Sequence, residues 1–123
     1  MTGKVDKPWG YEEIIFTTDV NTEGEYNTLA VKKIVINAEE MTSFHYHKKT
    51  NEVLYVNKGT IEIRMNDSMK EVGEGEAYYV EKEISHQIQN ITDDVVEIIE
   101  VAYPFSSDED ELVRVEDPYE ERR

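Results

Sequence analysis

No cysteine occurs in the 123 residues, which excludes disulfides and thiolate-bound metal. Proline is scarce, at three residues, and Trp9 is the only tryptophan. No apolar run approaches the roughly 20 residues that span a bilayer. The opening ten residues, MTGKVDKPWG, lack the apolar stretch of a signal peptide. These absences point to a soluble cytoplasmic protein without a membrane partner. Basic residues are also few: 13 Lys and Arg stand against 28 Asp and Glu, for a formal net charge of −15. A field of that sign repels nucleic acid at long range, so none is expected as a partner. An anionic small molecule is held only where basic side chains are focused in a cleft. Elsewhere the acidic excess serves as a solubilising coat.

The chain has the length of one domain, and its apolar residues come in short runs. Runs rich in Val, Ile, Tyr and Thr cover residues 11–18, 29–37, 42–47, 53–57, 60–65, 77–80, 86–90 and 95–102. Turn residues separate them at 21–24, 57–59, 66–68, 73–75 and 92–94. Strands at this spacing predict an all-β sandwich or barrel. Asn57-Lys58-Gly59 predicts a hairpin, and Ile61, Ile63 and Met65 predict one buried face opposite Glu62 and Arg64. We divide the chain into a barrel with a short N-terminal arm (1–105) and an acidic tail (106–123). The tail carries 8 Asp or Glu in 18 residues, with Leu112, Val113 and Val115 available to dock on the barrel.

All three histidines fall into one pattern, His45-x-His47-x4-Glu52-x6-Gly59 followed by Gly75-x5-Glu81-x-Glu83-x2-His86-x3-Asn90. On a strand, residues two apart share a face about 6.6–6.8 Å from one another, so His45 and His47 point the same way. Glu52 opens the next run, and His86 begins a strand that lies opposite in a closed barrel. Three imidazoles and one carboxylate suit a single divalent ion of Mn, Fe, Co, Ni or Zn and leave positions open for water or substrate. His45, His47, Glu52 and His86 are therefore the expected metal ligands. Trp9 is expected to pack across the barrel end, and Asn90 to satisfy backbone groups at a strand end.

These segments resemble the two motifs of the cupin superfamily. Lys7-Pro8-Trp9-Gly10, the His45–Glu52 motif, His86-x3-Asn90, Ile99-Glu100-Val101 and the stretch from Glu109 to Asp117 are similar to the C-terminal cupin domain of type II phosphomannose isomerases. The resemblance covers nearly the whole chain. It implies a single-domain cupin, a jelly-roll-like double-stranded β-helix, that binds a metal at the four named positions. It further implies interconversion of mannose 6-phosphate and fructose 6-phosphate. The family usually has Gln at the position of His45, Arg at Thr50, His at Val53, and Pro and Gly at Glu81 and Glu83. The metal side of the pocket is thus retained while the substrate side differs.

On this reading the metal polarises the sugar carbonyl and a general base moves the proton between C1 and C2. Lys49, Tyr46 and Arg114 are the candidate catalytic residues. Arg64, Tyr55 and Tyr78 are the candidate substrate-binding residues, the cations serving a sugar phosphate. Two other classes use the same ligands: cupin dioxygenases or sugar-acid lyases, and a non-catalytic module binding a sugar or nucleotide-sugar. A homodimer through edge strands is expected, with the 11–18 run as the exchanged strand.

Overall fold

The computed structural model describes residues 3–22, 25–106 and 108–120, so the predicted 21–24 turn falls partly outside the described residues. Strands dominate: β1 Gly3–Lys7, β2 Gly10–Thr22, β3 Glu25–Ile36, β4 Phe44–His47, β5 Asn51–Lys58, β6 Ile61–Arg64, β7 Met69–Val72, β8 Ala77–Val80, β9 Gln87–Asn90, β10 Val96–Tyr103 and β11 Leu112–Glu116. A six-stranded sheet runs β1-β2-β3-β10-β5-β8, and β7-β6-β9 and β11-β4 form two further sheets. Isolated bridges at Met41–Gln89 and His45–His86 join the two small sheets into a second layer. The result is a single-domain jelly-roll sandwich of the all-β class.

Alternation builds the two layers. On β10, Val96, Ile98, Glu100 and Ala102 are buried, while Glu97, Ile99, Val101 and Tyr103 are half-buried. On β5 the inward residues are Glu52, Leu54 and Val56, and on β6 they are Ile61 and Ile63. These apolar side chains meet Ile34, Ile36, Ile88, Trp9 and Tyr119 in one core. Full burial of each large aliphatic side chain stabilises the fold by about 1.5–3 kcal/mol. Trp9, expected to pack across the barrel end, is buried in this core and also lines the cavity described below.

The predicted hairpin at Asn57–Gly59 is not one. β5 pairs with β10 and β8, whereas β6 pairs with β7 and β9, so this turn carries the chain from one layer to the other. Gly59 is still required there: its φ is +92°, and a Cβ would lie 2.5 Å from Val96 Cγ1. Of the 11–18 run, residues 11–14 lie between β1 and β3 of their own chain, whereas 16–18 pair with β3 alone among the described residues. Three strands, β1, β7 and β11, add to those expected. The last of them pairs with β4, from Leu112 opposite His47 to Glu116 opposite Phe44. No helix among the described residues is long and apolar enough to cross a membrane.

Candidate metal centre

The site forms where β4, β5 and β9 converge inside the sandwich. His45 and His47 project from alternate positions of β4, and the His45 and His86 backbones bond reciprocally at 3.0 and 2.8 Å. That bridge brings the imidazoles together, with ring centroids 4.8 Å apart for His45 and His86 and 5.5 Å for His45 and His47. One candidate ligand atom from each of the three histidines lies within 4.8 Å of the others. Glu52 enters from β5, its Oε1 3.2 Å from both His47 Nε2 and His86 Nε2.

Each Nδ1 is already occupied. Ser43 Oγ lies 2.9 Å from that of His45, Glu111 Oε2 2.7 Å from that of His47, and the Ile84 carbonyl accepts from that of His86 at 2.9 Å. The Nε2 atoms of His47 and His86 therefore face Glu52. Glu52 Oε1 and His86 Nε2 are both buried without a hydrogen-bond partner. Buried polar atoms are seldom left so. A cation between them would satisfy both, and three imidazoles suit a borderline divalent ion. The His45, His47 and His86 cluster is thus able to bind a metal.

The ionisable groups of the cluster are shifted in opposite directions. Burial, followed by the neighbouring His86, lowers the His45 pKa to about 3 and keeps its ring neutral. Burial also opposes charge on His47, but Glu52 and Glu111 outweigh it and raise its pKa to about 9. Glu52 stays ionised despite burial, through a hydrogen bond shared with Glu100 and its approach to His47 and His86. Glu100, wholly enclosed, is pushed well up by burial and by the Glu52 charge. Burial opposes ionisation of Glu111 too, yet His47 and the Lys49 and Thr50 groups that bond to it keep its carboxyl low.

The cluster lies at an inner cavity of about 100 Å³ that adjoins an outer chamber of about 490 Å³. Lys7, Glu12, Lys32, Glu100, Leu112 and Arg114 line both. Lys32 is bonded to Glu12 at 3.1 Å, and Lys7 reaches the same carboxylate at 3.4 Å. Burial works against the Lys32 charge, but Glu100 and Glu12 reverse the balance and raise its pKa. Glu12 is likewise held ionised against burial by Lys32 and Lys7.

Of the residues expected beyond the metal, Arg114 borders the cavity. The others lie elsewhere. Tyr46 stands between two inward histidines on β4 and so faces away from them. Lys49 is exposed in the loop before β5. Tyr55 has the outward parity of β5. Tyr78 packs against the core, its hydroxyl 3.5 Å from Met65 Sδ. Arg64 lies over the Phe44 ring and bonds Glu116 at 3.3 Å on the outer surface. Sequence reasoning missed Glu12, Lys32, Glu100 and Glu111. For Lys32 and Glu100 a signal existed: each is a charged residue between apolar inward neighbours, Ala30 and Ile34 or Ile98 and Ala102.

A jelly-roll sandwich with a histidine cluster in its cavity defines the cupin class. The chain belongs to that family: residues 33–102 match the model described as cupin domain. It is also 30% identical over 119 residues to the mannose-1-phosphate guanylyltransferase ManC of Salmonella typhimurium, covering 97% of this chain and 23% of that protein. The mannose-1-phosphate guanylyltransferase of Escherichia coli is 28% identical over 116 residues, covering 94% of this chain and 23% of that protein. The chain thus spans about a quarter of these curated relatives. The relatives agree with the resemblance read from the motifs, since type II phosphomannose isomerase cupins often follow a guanylyltransferase domain. Among solved structures, KdgF from Halomonas sp. has a TM-score of 0.70 at 17% identity, covering 85% of this chain and 89% of that one. Oxalate decarboxylase from Bacillus subtilis has a TM-score of 0.73 at 21% identity, covering 93% of this chain and 30% of that one. At these identities the likeness speaks for the fold alone.

Proposed function

We propose that the chain is a metal-dependent aldose–ketose isomerase of the mannose 6-phosphate type, with His45, His47, Glu52 and His86 as the ligands of one divalent ion. The observation that carries the metal is the pair of orphaned buried atoms, Glu52 Oε1 and His86 Nε2, facing one another within the histidine cluster. The motif resemblance and the guanylyltransferase relatives support the sugar phosphate. A divalent ion held there supplies Lewis acidity toward a sugar carbonyl. Arg114 borders the cavity with Lys7 and Lys32, the two lysines paired with Glu12, and these are the cations available to a phosphate in a chain of net charge −15. Glu12, which lines the cavity and is kept ionised, is the carboxylate assigned to take the proton from carbon, and Glu100 lines the same cavity beside Glu52. The roles expected of Lys49 and Tyr46 pass to these groups because neither lines the cavity.

The test is elemental analysis of protein purified without a histidine tag, followed by assay of mannose 6-phosphate conversion. We expect about one ion per chain, lost in His47→Ala and Glu52→Ala. Glu12→Gln is expected to keep the metal and lose kcat by about 10²–10⁴-fold, the usual contribution of acid–base catalysis. Metal without turnover would move the function to a binding module or another cupin chemistry, and no metal under any loading would end the reading. Light scattering of the same preparation reports the homodimer that this reading includes.

A further inference from the structure

Glu111 lies in a 3-10 turn, Glu109–Glu111, that immediately precedes β11. It is buried and makes four bonds to the segment between two of the site residues. Its Oε2 meets His47 Nδ1 at 2.7 Å, and its Oε1 accepts from the amides of Lys49 at 3.2 Å and Thr50 at 3.0 Å. Its carbonyl accepts from the Lys48 amide at 2.8 Å. The loop from His47 to Glu52 is therefore closed by a residue from the acidic tail. A carboxylate at Nδ1 fixes that proton in place and leaves the Nε2 lone pair directed at the centre. From Glu111 the chain continues along β4 as β11, where Leu112 and Arg114 form a cavity wall. Its far end is anchored by Tyr119, whose hydroxyl accepts from the Met41 amide at 3.1 Å and donates to Glu40.

We propose that Glu111 is a positioning residue for the metal and that docking of the 108–120 strap and metal binding are one linked equilibrium. The proposal rests on the metal reading above. With the strap docked, His47 is held in the tautomer and orientation that ligate. With the strap released, the same imidazole turns freely, the cavity loses a wall, and the ion is held less tightly. Linkage makes the effect reciprocal: the factor by which strap release weakens the metal is the factor by which the metal suppresses strap release. The acidic tail is thereby a working part of the site, although no residue of it need touch the ion.

The experiment uses the full chain. Co²⁺ and Zn²⁺ affinities are measured by competition with a chromophoric chelator for wild type and Glu111→Gln, and the Co²⁺ visible spectrum is recorded for both. We expect Glu111→Gln to bind about 10–100-fold more weakly, the usual cost of losing an orienting partner, with altered Co²⁺ bands. Glu111→Asp, which retains the charge, is expected to recover part of the affinity. A second measurement needs no variant: amide exchange in wild type with and without saturating Zn²⁺. Amides of Lys49, Thr50 and β11 are expected to slow with metal, while those of Met69–Val72, in the distant β6–β7 hairpin, serve as the control. Unchanged affinity in Glu111→Gln, or strap amides indifferent to Zn²⁺ in a wild type that binds it, overturns the linkage and leaves the metal site standing. A wild type that binds neither ion overturns the metal reading and the linkage together.

Discussion

His47 is contested by two carboxylates and, on the proposed reading, by a cation. Glu52 and Glu111 flank its ring at 3.2 and 2.7 Å and hold its pKa near 9, against an unfolded value of about 6.5. A raised histidine pKa stabilises the fold fully below the unfolded value, and that contribution is lost as pH climbs through the folded one. The metal-free protein is therefore expected to lose on the order of 3 kcal/mol between pH 6.5 and 9 from this residue. Urea midpoints across that range read the loss, and His47→Gln should flatten it. Metal binding has the opposite slope, because the ion requires the unprotonated ring. Zn²⁺ affinity should rise about tenfold per pH unit over the same interval. A pH-independent affinity would mean that His47 is not a ligand. His45, already neutral, adds no slope of its own there.

At the level of elements, Asn90 shows how a strand end is closed. Its Nδ2 donates to the carbonyls of Ile36, Asn37 and Asp94 at 3.0, 3.0 and 2.8 Å, and its Oδ1 accepts from the Thr92 amide and hydroxyl at 2.9 and 2.7 Å. One side chain thus ties the end of β3 to the loop leading into β10. Asn90→Ala should cost about 2–4 kcal/mol, since several buried groups lose partners at once. The readout is a lower urea midpoint with an unchanged m-value; a loss under about 1 kcal/mol would show that water replaces the amide. This role was legible in the sequence, as were the runs that became β2 to β6 and β8 to β10. The strands missed were GKVDK, MKEV and LVRVE, each rich in charge and carrying little alternation. They gain their order from neighbours, β11 from β4 above all, and no local pattern encodes that. The histidine cluster was legible because alternation on β4 puts His45 and His47 on one face. Glu111 was hidden because it joins His47 across 64 positions of sequence. For Arg64, Tyr55 and Tyr78 residue type suggested a ligand role, while the fold places Arg64 over Phe44 beside Glu116, gives Tyr55 the outward parity of β5 and packs Tyr78 against the core.

For the molecule as a whole, 28 acidic residues confront 13 basic ones. Favourable surface pairs such as Lys58–Asp94, at 3.8 Å, contribute little each and are too few to offset the excess. Self-repulsion should therefore dominate the salt response, so that screening stabilises this protein instead of weakening it. The strap segment begins with four consecutive acidic residues, Asp108 to Glu111, in a chain already negative. Raising NaCl from about 0.02 to 0.3 M shortens the Debye length from roughly 20 to 6 Å, enough to mute contacts beyond nearest neighbours. The buried Glu111–His47 contact at 2.7 Å is screened far less. We expect the metal-free Tm to rise with NaCl, and exchange of the β11 amides to slow by a larger factor than that of Met69–Val72. An equal osmolality of sucrose separates screening from general exclusion. A Tm that falls with salt would mean that attractive pairs, and not the acidic excess, set the balance, and that the strap is held against no electrostatic load.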